Sequence, residues 1–363
     1  MNVIVVGAGV VGCAVAHELA SRGARVRLVD VRGAGRGATG ASAGILAPYI
    51  ESHAASFQQL ALCSLASWDD FIQRVRTDSG QAVEYERSGT LQVALDSVQA
   101  STLGDASRLL QAAGVTHALF DAREAAGLEP GLSDRVTSAL LLSEHGYVAP
   151  SQLIAALVQA ATNRGARLTS ARVLRVEAGS QHATVITADG GMESDAVVLA
   201  AGAWPIEVAG PPPSPAVRPI RGQLVHLTVD ERPASRVVWG TDCYIVPWRD
   251  GSVLVGATVE DVGFDERTTA DGVRGLLNAA VDLMPALRQA RFHEARAGLR
   301  PKTADELPVI GRSSTMPHVF HAAGHYRNGV LLAPLTAALI ADLVLDGRER
   351  PELALVRPDR FGL

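Results

Sequence analysis

The stretch VIVVGAGVVGCAVAHELA, residues 3–20, constrains the fold of this chain more than any other. A short apolar run of the buried-strand type leads directly into a GxGxxG pattern, made by Gly7, Gly9 and Gly12, and a helical repeat follows. The first glycine permits a tight turn, the second lets backbone approach a pyrophosphate, and the third packs helix against strand. A second strand, ARVRLVD, ends on Asp30. The pattern predicts a βαβ unit with a dinucleotide at the N-terminus of its helix.

Asp30 narrows the choice of dinucleotide. It follows Gly12 by 18 positions, where a carboxylate accepts hydrogen bonds from a ribose, and its charge disfavours the 2'-phosphate of NADP. NAD and FAD both stay open on this motif. The next segment, GRGATGASAGILAP at residues 35–48, consists mostly of small residues, as expected where backbone lies close against a flat ring system. This segment favours a flavin.

Composition excludes several classes of function. A chain of 363 residues can hold two cores, and its net charge of -5 comes with no run of like charges. A nucleic-acid partner is therefore not expected. The cysteines Cys13, Cys63 and Cys243 form neither an even disulfide set nor a CxxC metal pair, so we expect buried thiols, no metal site and a reducing compartment. No basic segment precedes the apolar opening, so neither a signal peptide nor an integral membrane span is expected, and we predict a cytoplasmic protein.

The middle of the chain predicts a second, antiparallel sheet. The segment CYIVPWRDGSVLVGATVE alternates around Asp250 and Gly251, the strongest hairpin signal in the chain. The segments GQLVHLTV and FHEARAGLRPKT supply neighbouring strands, and ADGVRGLLNAAVDLM reads as a helix. The buried-strand pattern SDAVVLAAGAW indicates that the nucleotide domain resumes after an interruption. The proline-rich residues 209–219 form a natural crossing point between the two domains.

Five segments in order along nearly the whole chain, GAGVVG, SAGILAP, CYIVPWRDG, AGLRPKT and HYRNGVLLAP, resemble the D-amino-acid oxidase family of FAD enzymes, and within it the members that oxidise glycine. The resemblance implies an α/β plus α+β fold in which a discontinuous Rossmann-type FAD-binding domain joins a substrate domain built on an antiparallel sheet. It places the FAD-binding domain at 1–84, 141–217 and 304–363 and the substrate-binding domain at 85–140 and 218–303.

The resemblance also assigns residues to the cofactor. The pyrophosphate and adenosine ribose fall to Gly7, Gly9, Gly12 and Asp30. Backbone contact with adenine falls to Val173, and one border of the isoalloxazine to Ala43, Gly44 and Ile45. The opposite border falls to Arg327, Asn328, Gly329, Val330 and Leu331, with the N-terminus of the last helix near the pyrimidine end. Sarcosine oxidases of this superfamily attach flavin through a cysteine after the strand matching GLRPKT. This chain reads KTADELPVIG there, so we expect non-covalent FAD.

At the substrate end, the resemblance implies that Arg300 of GLRP pairs with a substrate carboxylate, because a planar guanidinium can donate two parallel hydrogen bonds. Tyr244 donates another, and Arg327 can face the substrate pocket. Two positions depart from the pattern of the glycine-oxidising members. Asp242 stands where a histidine can occur and Val259 where a methionine can line the pocket, so substrate preference is less constrained than reaction type.

Three more residues near these motifs invite attention. His325 is interpreted as structural rather than catalytic. Glu51 and His53 follow the small-residue segment and are expected in a solvated loop.

The implied reaction is hydride transfer from the α-carbon of an unprotonated amino acid to flavin N5. The imine then hydrolyses to a 2-oxo acid and ammonia, and oxygen returns the flavin to its oxidised form with release of hydrogen peroxide. Glycine is the expected substrate, with sarcosine or small D-amino acids as others, and a role in thiamine thiazole synthesis follows from the resemblance alone. A D-amino-acid dehydrogenase serving a quinone, a tRNA-modifying flavin enzyme and a non-catalytic flavoprotein are the competing readings. The sequence leaves oligomeric state open, including a homo-oligomer.

Overall fold

The computed structural model describes residues 1–50, 55–204, 207–208 and 216–363. Glu51, His53 and most of the proline-rich crossing predicted at residues 209–219 lie outside the described residues.

The described residues form strands and helices from end to end of the chain. The strands are β1 Asn2–Val6, β2 Arg25–Val29, β3 Ile45–Leu46, β4 Tyr85–Glu86, β5 Thr90–Ala94, β6 Ala118–Asp121, β7 Ser138–Leu142, β8 Gly146–Val148, β9 Arg167–Thr169, β10 Val173–Ala178, β11 Ala183–Thr187, β12 Gly190–Ser194, β13 Ala196–Leu199, β14 Glu207–Val208, β15 Arg218–Thr228, β16 Val237–Trp239, β17 Tyr244–Pro247, β18 Ser252–Gly256, β19 Arg291–Lys302, β20 Val309–Arg312 and β21 Val319–Ala323. The helices are α1 Val10–Ser21, α2 Ala55–Ala66, α3 Trp68–Ser79, α4 Ser97–Ala112, α5 Ala122–Leu128, α6 Pro150–Asn163, α7 Ala270–Leu283 and α8 Gly329–Asp346.

The first sheet has six strands in the order β20-β21-β13-β1-β2-β9, all parallel except β20. Apolar residues fill both faces of β1. Val3 and Val5 pack with α1 and α8, whereas Ile4 and Val6 pack with the separate sheet of β10 to β12. A strand buried on both faces reads as a continuous apolar run, which is the pattern of residues 3–6. The predicted Rossmann-type sheet is confirmed.

The second large sheet has eight strands in the order β19-β15-β18-β17-β16-β5-β7-β6. The predicted hairpin is confirmed: β17 and β18 pair antiparallel, and Gly251 has a φ of +84° in the connecting turn. One face packs against Leu276 and Ala280 of α7, and the other holds Leu224 against Ala43 of the small-residue segment. The predicted boundaries between the two domains stay a prediction.

One helix among the described residues, α8, is long and apolar enough to cross a membrane by length and composition. Its sequence is apolar all round, and 78% of its span is buried inside the fold. That burial fits the core helix of a globular fold, because a helix without a polar face needs apolar neighbours on every side. It packs on α1 and so closes the core under the six-stranded sheet.

Candidate active site

A cavity of about 600 Å³ lies between the two large sheets. The carboxyl ends of β1 and β2, the small-residue segment, strands β15 to β19 of the eight-stranded sheet and the start of α8 all contribute to its walls. Ligands of open α/β sheets bind outside the carboxyl ends of the strands, so the cavity is where this topology places a ligand. It holds most of the residues that the sequence singled out: Gly7, Gly9, Asp30, Ala43, Gly44, Ile45, Val173, Asp242, Tyr244, Val259, Arg300, Arg327, Asn328, Gly329 and Val330.

The glycine turn has the shape that close approach by a dinucleotide requires. Gly7 has a φ of +104°, and a Cβ there would collide with the carbonyl oxygen of Ala200. A Cβ at Gly12 would collide with the carbonyl oxygen of Gly7, so Gly12 serves helix packing and does not line the cavity. Gly9 precedes α1 and faces the cavity, which leaves backbone rather than a side chain at the helix N-terminus.

Asp30 holds the glycine turn in place. Its Oδ2 accepts from the backbone N–H of Ala8 at 2.8 Å, and its Oδ1 accepts from the N–H groups of Arg32 and Gly33 at 2.7 and 3.1 Å. The carboxylate therefore links the end of β2 to the turn after β1. Carboxylate oxygens accept more than one hydrogen bond each, so the predicted contact with a ribose is compatible with these bonds and stays a prediction.

Two residues at the Asp30 end of the cavity were not predicted from the sequence. The Arg32 guanidinium lies 4.6 Å from the ring centre of Trp204, and both line the cavity beside Val173. Trp204 follows β13, a neighbour of β1 in the parallel sheet. An aromatic residue just beyond the carboxyl end of a buried strand was the signal that could have found it. A stacked cation and ring give this end a flat, polar wall.

The small-residue segment is shaped by close backbone contacts. Gly44 has a φ of +72°, its carbonyl oxygen accepts from the N–H of Val148 at 2.9 Å, and a Cβ on it would collide with Val148. Farther back, a Cβ added to Gly298 of β19 would lie 2.7 Å from the Cβ of Ala41. Larger side chains in this segment would separate the two sheets, so its composition has a direct steric cause.

Arg300 and Tyr244 lie over glycines of neighbouring strands. A Cβ at Gly222 of β15 would overlap the guanidinium of Arg300, and a Cβ at Gly256 of β18 would overlap the phenol of Tyr244. Neither glycine was predicted from the sequence as part of the site. A glycine inside a strand marks a bulge or a close approach, and that rule could have found them. The glycines create the space in which the two side chains face the cavity.

A buried polar network supports Arg300 from behind. Its Nη1 donates to the carbonyl oxygen of Thr258 at 2.9 Å, and Thr258 in turn bonds Gln223 and Glu260. Arg221, only 4% exposed, pairs with Glu260. Burial acts to raise the pKa of Glu260, but hydrogen bonds from Arg221, Thr258 and Gln223 outweigh it and hold the pKa below its usual value. The network fixes the carbonyl that orients Arg300.

The cluster before α8 combines a strained turn with an uncharged histidine. Tyr326 has a φ of +48°, and the exposed Arg327 guanidinium lies 5.1 Å from its ring centre. His325 is buried, its Nε2 lies 3.0 Å from Thr336 Oγ1, and burial lowers its pKa to about 3. His325 also lines the cavity, and a neutral histidine bonded to Thr336 fits the structural interpretation. Non-glycine residues at positive φ recur at ligand sites.

Leu331 differs from the other residues predicted at the α8 border of the flavin, and its contact with the cofactor stays a prediction. It does not line the cavity: its side chain is buried in the core, and its carbonyl oxygen accepts from Ser64 Oγ and Trp68 Nε1 at 2.7 and 3.0 Å. One turn of helix carries successive residues around the axis, so α8 turns this position away from the cavity.

Cys243 lines the cavity, and burial raises the pKa of its thiol to about 12, so it is an uncharged thiol at neutral pH.

Comparison with known proteins gives these features a family. A family model described as DAO, FAD dependent oxidoreductase, matches residues 2–343. The chain belongs to this family. It is an FAD-dependent oxidoreductase. The glycine turn and the small-residue segment fit the dinucleotide because each leaves backbone or space where a side chain would obstruct it, and Asp30 lines the same cavity.

Individual relatives cover nearly the whole chain. Glycine oxidase of Geobacillus kaustophilus is 34% identical over 97% of this chain and 94% of its own length. The crystal structure of glycine oxidase from that organism has a TM-score of 0.92 at 33% identity, with 98% of this chain and 97% of that one covered. The bifunctional protein ThiO/ThiG of Synechocystis is 32% identical over 99% of this chain, which spans 54% of that protein's length.

Proposed function

We propose that this member of the DAO family oxidises the amine of a small amino acid, with glycine the first choice, to the imine. The observation that carries the proposal is the pairing of Arg300 and Tyr244 on the cavity wall, each over a glycine that leaves room for it. A guanidinium and a phenol directed at one space are donors suited to a carboxylate. Similarity to glycine oxidase along the whole chain supports the same substrate class.

The protein's part in the reaction is orientation. Arg300 binds the substrate carboxylate, and Tyr244 donates a further hydrogen bond to it, so the α-carbon is held in a fixed position relative to the cavity wall. FAD, when bound, supplies the two-electron oxidation and passes the electrons on to oxygen, with hydrogen peroxide as the product. The imine leaves to hydrolyse in water or to be consumed by another enzyme.

The walls around Arg300 favour a small substrate without a long side chain. The rings of Trp239 and Tyr244 lie with their centres 5.0 Å apart on one side. Asp242 and Val259, both exposed, lie at the cavity margin. A carboxylate at the margin favours a substrate amine and disfavours acidic side chains, so we expect glycine, sarcosine and small neutral D-amino acids rather than dicarboxylic ones.

The biological setting is proposed from the relatives. ThiO/ThiG resembles this chain over about half of its own length, which supports supply of an imine for thiazole synthesis as the physiological role. Oxygen as the acceptor, non-covalent FAD and a cytoplasmic location complete the proposal.

Anaerobic mixing with glycine, sarcosine, D-alanine, D-proline and L-alanine tests the reaction. Loss of the flavin's visible band with glycine, reversed by air with formation of peroxide, is the expected result. A band that glycine does not bleach contradicts the substrate, and bleaching with dye reduction but no peroxide contradicts the oxidase and favours a dehydrogenase.

Substitution of Arg300 tests the site. Arg300→Ala should raise KM for glycine by roughly 10- to 100-fold, because a charge-assisted hydrogen bond contributes about 1.5–3 kcal/mol. Arg291→Ala is the matched control: it lies on the same strand, is exposed and pairs with Asp230 outside the cavity. An unchanged KM in Arg300→Ala, or an equal rise of KM in both variants, would contradict the proposed contact of Arg300 with the substrate.

A further inference from the structure

A buried histidine on β15 has no hydrogen-bond partner among the described residues. His226 is 9% exposed, and neither its Nδ1 nor its Nε2 is hydrogen-bonded. Buried polar groups are almost always bonded, so this ring requires an explanation. It does not line the cofactor cavity, and it lies four residues along the strand from Gly222, about 13 Å by the rise of a strand.

A β-bulge brings two more candidate ligands to the same point. The β15–β19 ladder pairs His226 with Glu294 and Leu227 with Phe292, which leaves His293 as the extra residue of β19. Consecutive strand residues normally face opposite sides of a sheet, and a bulge changes the direction of one of them. Here the His293 and His226 rings have centres 4.6 Å apart, so His293 and Glu294 lie on the same side.

The three side chains have the composition and spacing of a metal site. One ligand atom from each lies within 4.8 Å of the others, and Glu294 Oε1 is 3.8 Å from both His226 Nδ1 and His293 Nε2. Ligands 2.0–2.1 Å from a tetrahedral zinc lie about 3.3 Å apart, so small side-chain rotations close the site. We propose that His226, His293 and Glu294 bind a divalent transition-metal ion, with zinc as the best fit.

Arg296 lies beside these ligands. Its Nε donates to Glu294 Oε1 at 2.8 Å and holds the carboxylate near the two imidazoles until a metal ion displaces it. His293 is exposed, which leaves the fourth position of zinc open to water.

Two imidazoles and a carboxylate select among ions. Calcium and magnesium prefer all-oxygen sites, whereas zinc and its neighbours among the transition metals accept imidazole nitrogen.

Arg296 also donates to the carbonyl oxygen of Gly40 at 3.2 Å, within the small-residue segment. A metal on Glu294 competes with Arg296 for that carboxylate, so occupancy would alter this contact.

Zinc binding to the FAD-loaded protein, prepared without a polyhistidine tag and stripped with chelator, tests the proposal. Titration calorimetry and equilibrium dialysis with metal analysis should show one zinc per chain. His293→Ala and Glu294→Gln should each weaken binding at least about 10-fold, because loss of even an outer-shell partner costs 10- to 100-fold. Both positions are partly or fully exposed, so both variants should fold.

His182→Ala is the matched control. His182, just before β11, has its Nε2 3.6 Å from Oε1 of Glu193 on β12, so it forms a surface histidine–glutamate pair outside the proposed cluster. Zinc affinity should be unchanged in this variant. Three results overturn the proposal: no binding below millimolar zinc, undiminished affinity in His293→Ala and Glu294→Gln, or an equal loss in His182→Ala. None of these readouts depends on turnover of glycine.

Discussion

At the scale of single residues, the site depends on glycines, which have no side chain, as much as on the residues that supply hydrogen-bond donors. Arg300 and Tyr244 supply donors, but Gly222 and Gly256 decide where those donors lie. Each glycine lies on a strand next to the one that carries its large neighbour. The pairing arises from strand register, because only partners brought side by side can share one volume.

Gly222→Ala should displace Arg300 without unfolding the protein. The new methyl group would occupy the space of the guanidinium, which is the flexible end of a long side chain and can move. We expect KM for glycine to rise roughly 10-fold or more, since misaligned charge-assisted hydrogen bonds lose about 1.5–3 kcal/mol. Steady-state kinetics measures the effect, and thermal unfolding confirms that the fold is kept.

Gly275→Ala is the control for this substitution. Gly275 lies in α7 and is exposed, with open space around its Cα, so alanine there should leave KM unchanged and stabilise the helix by about 0.5–1 kcal/mol. A normal KM in Gly222→Ala would contradict the steric argument.

At the scale of elements, the contact of α1 with α8 holds the cofactor-binding sheet together on one side. Asp342 of α8 is 1% exposed and pairs with Arg22, just after α1, and with Arg348, at 2.7 and 2.6 Å. Burial acts to raise the pKa of Asp342, but the hydrogen bonds from both arginines outweigh it and hold the pKa below its usual value. The pair therefore links the C-terminal ends of α1 and α8.

Asp342→Asn should destabilise the protein by about 2–3 kcal/mol, because it leaves arginines near a buried amide. Asp346→Asn is the control: Asp346 is exposed and 4.0 Å from Arg22, so we expect under about 0.5 kcal/mol. Denaturant unfolding measures both. Equal losses of stability in the two variants would show that the buried ion pair of Asp342 contributes no more than the exposed one of Asp346.

The lowered pKa of Asp342 also determines how its contribution to stability changes with pH. A carboxyl whose pKa is lower in the folded state stabilises the protein above its unfolded pKa of about 3.9 and loses that contribution as pH falls through the folded value. The difference in stability between wild type and Asp342→Asn should therefore shrink in acid below about pH 4.

At the scale of the whole molecule, one cavity joins two sheets that share few strand contacts. It extends from the glycine turn and Asp30 of the six-stranded sheet to Arg300 of the eight-stranded sheet. A ligand that fills it contacts both sheets, so binding and global stability should be coupled.

Removal of FAD should lower the melting temperature, and re-addition should restore it with increasing concentration. Free FAD at about 100 times its Kd would stabilise the fold by about 2.7 kcal/mol. At equal concentration FMN should restore less, because it leaves the Arg32, Val173 and Trp204 end unfilled. The denatured chain should have the bare mass of the polypeptide. Equal rescue by FMN would contradict an extended dinucleotide, and a flavin-sized mass increment would contradict non-covalent binding.

Local patterns were enough for much of the fold. The βαβ unit with Gly7, Gly9 and Gly12, the hairpin at Asp250-Gly251 and the helices α1, α7 and α8 were predicted because their signals lie within short stretches of chain. Resemblance to a family added the residues that line one cavity. It did not distinguish Leu331, which does not line the cavity, from its neighbours, because a continuous motif cannot show which side of a helix faces inward.

The sequence by itself determined the strand-turn-helix that receives a dinucleotide, the apolar α8 and the family of the chain, since each depends on residues close together or on motifs in order. Only the tertiary structure decided which residues share space across sheets: Gly222 under Arg300, Arg32 on Trp204, and the bulge that carries His293 to His226. Register between distant strands fixes those contacts. It depends on the packing of whole faces, so no single stretch of sequence encodes it.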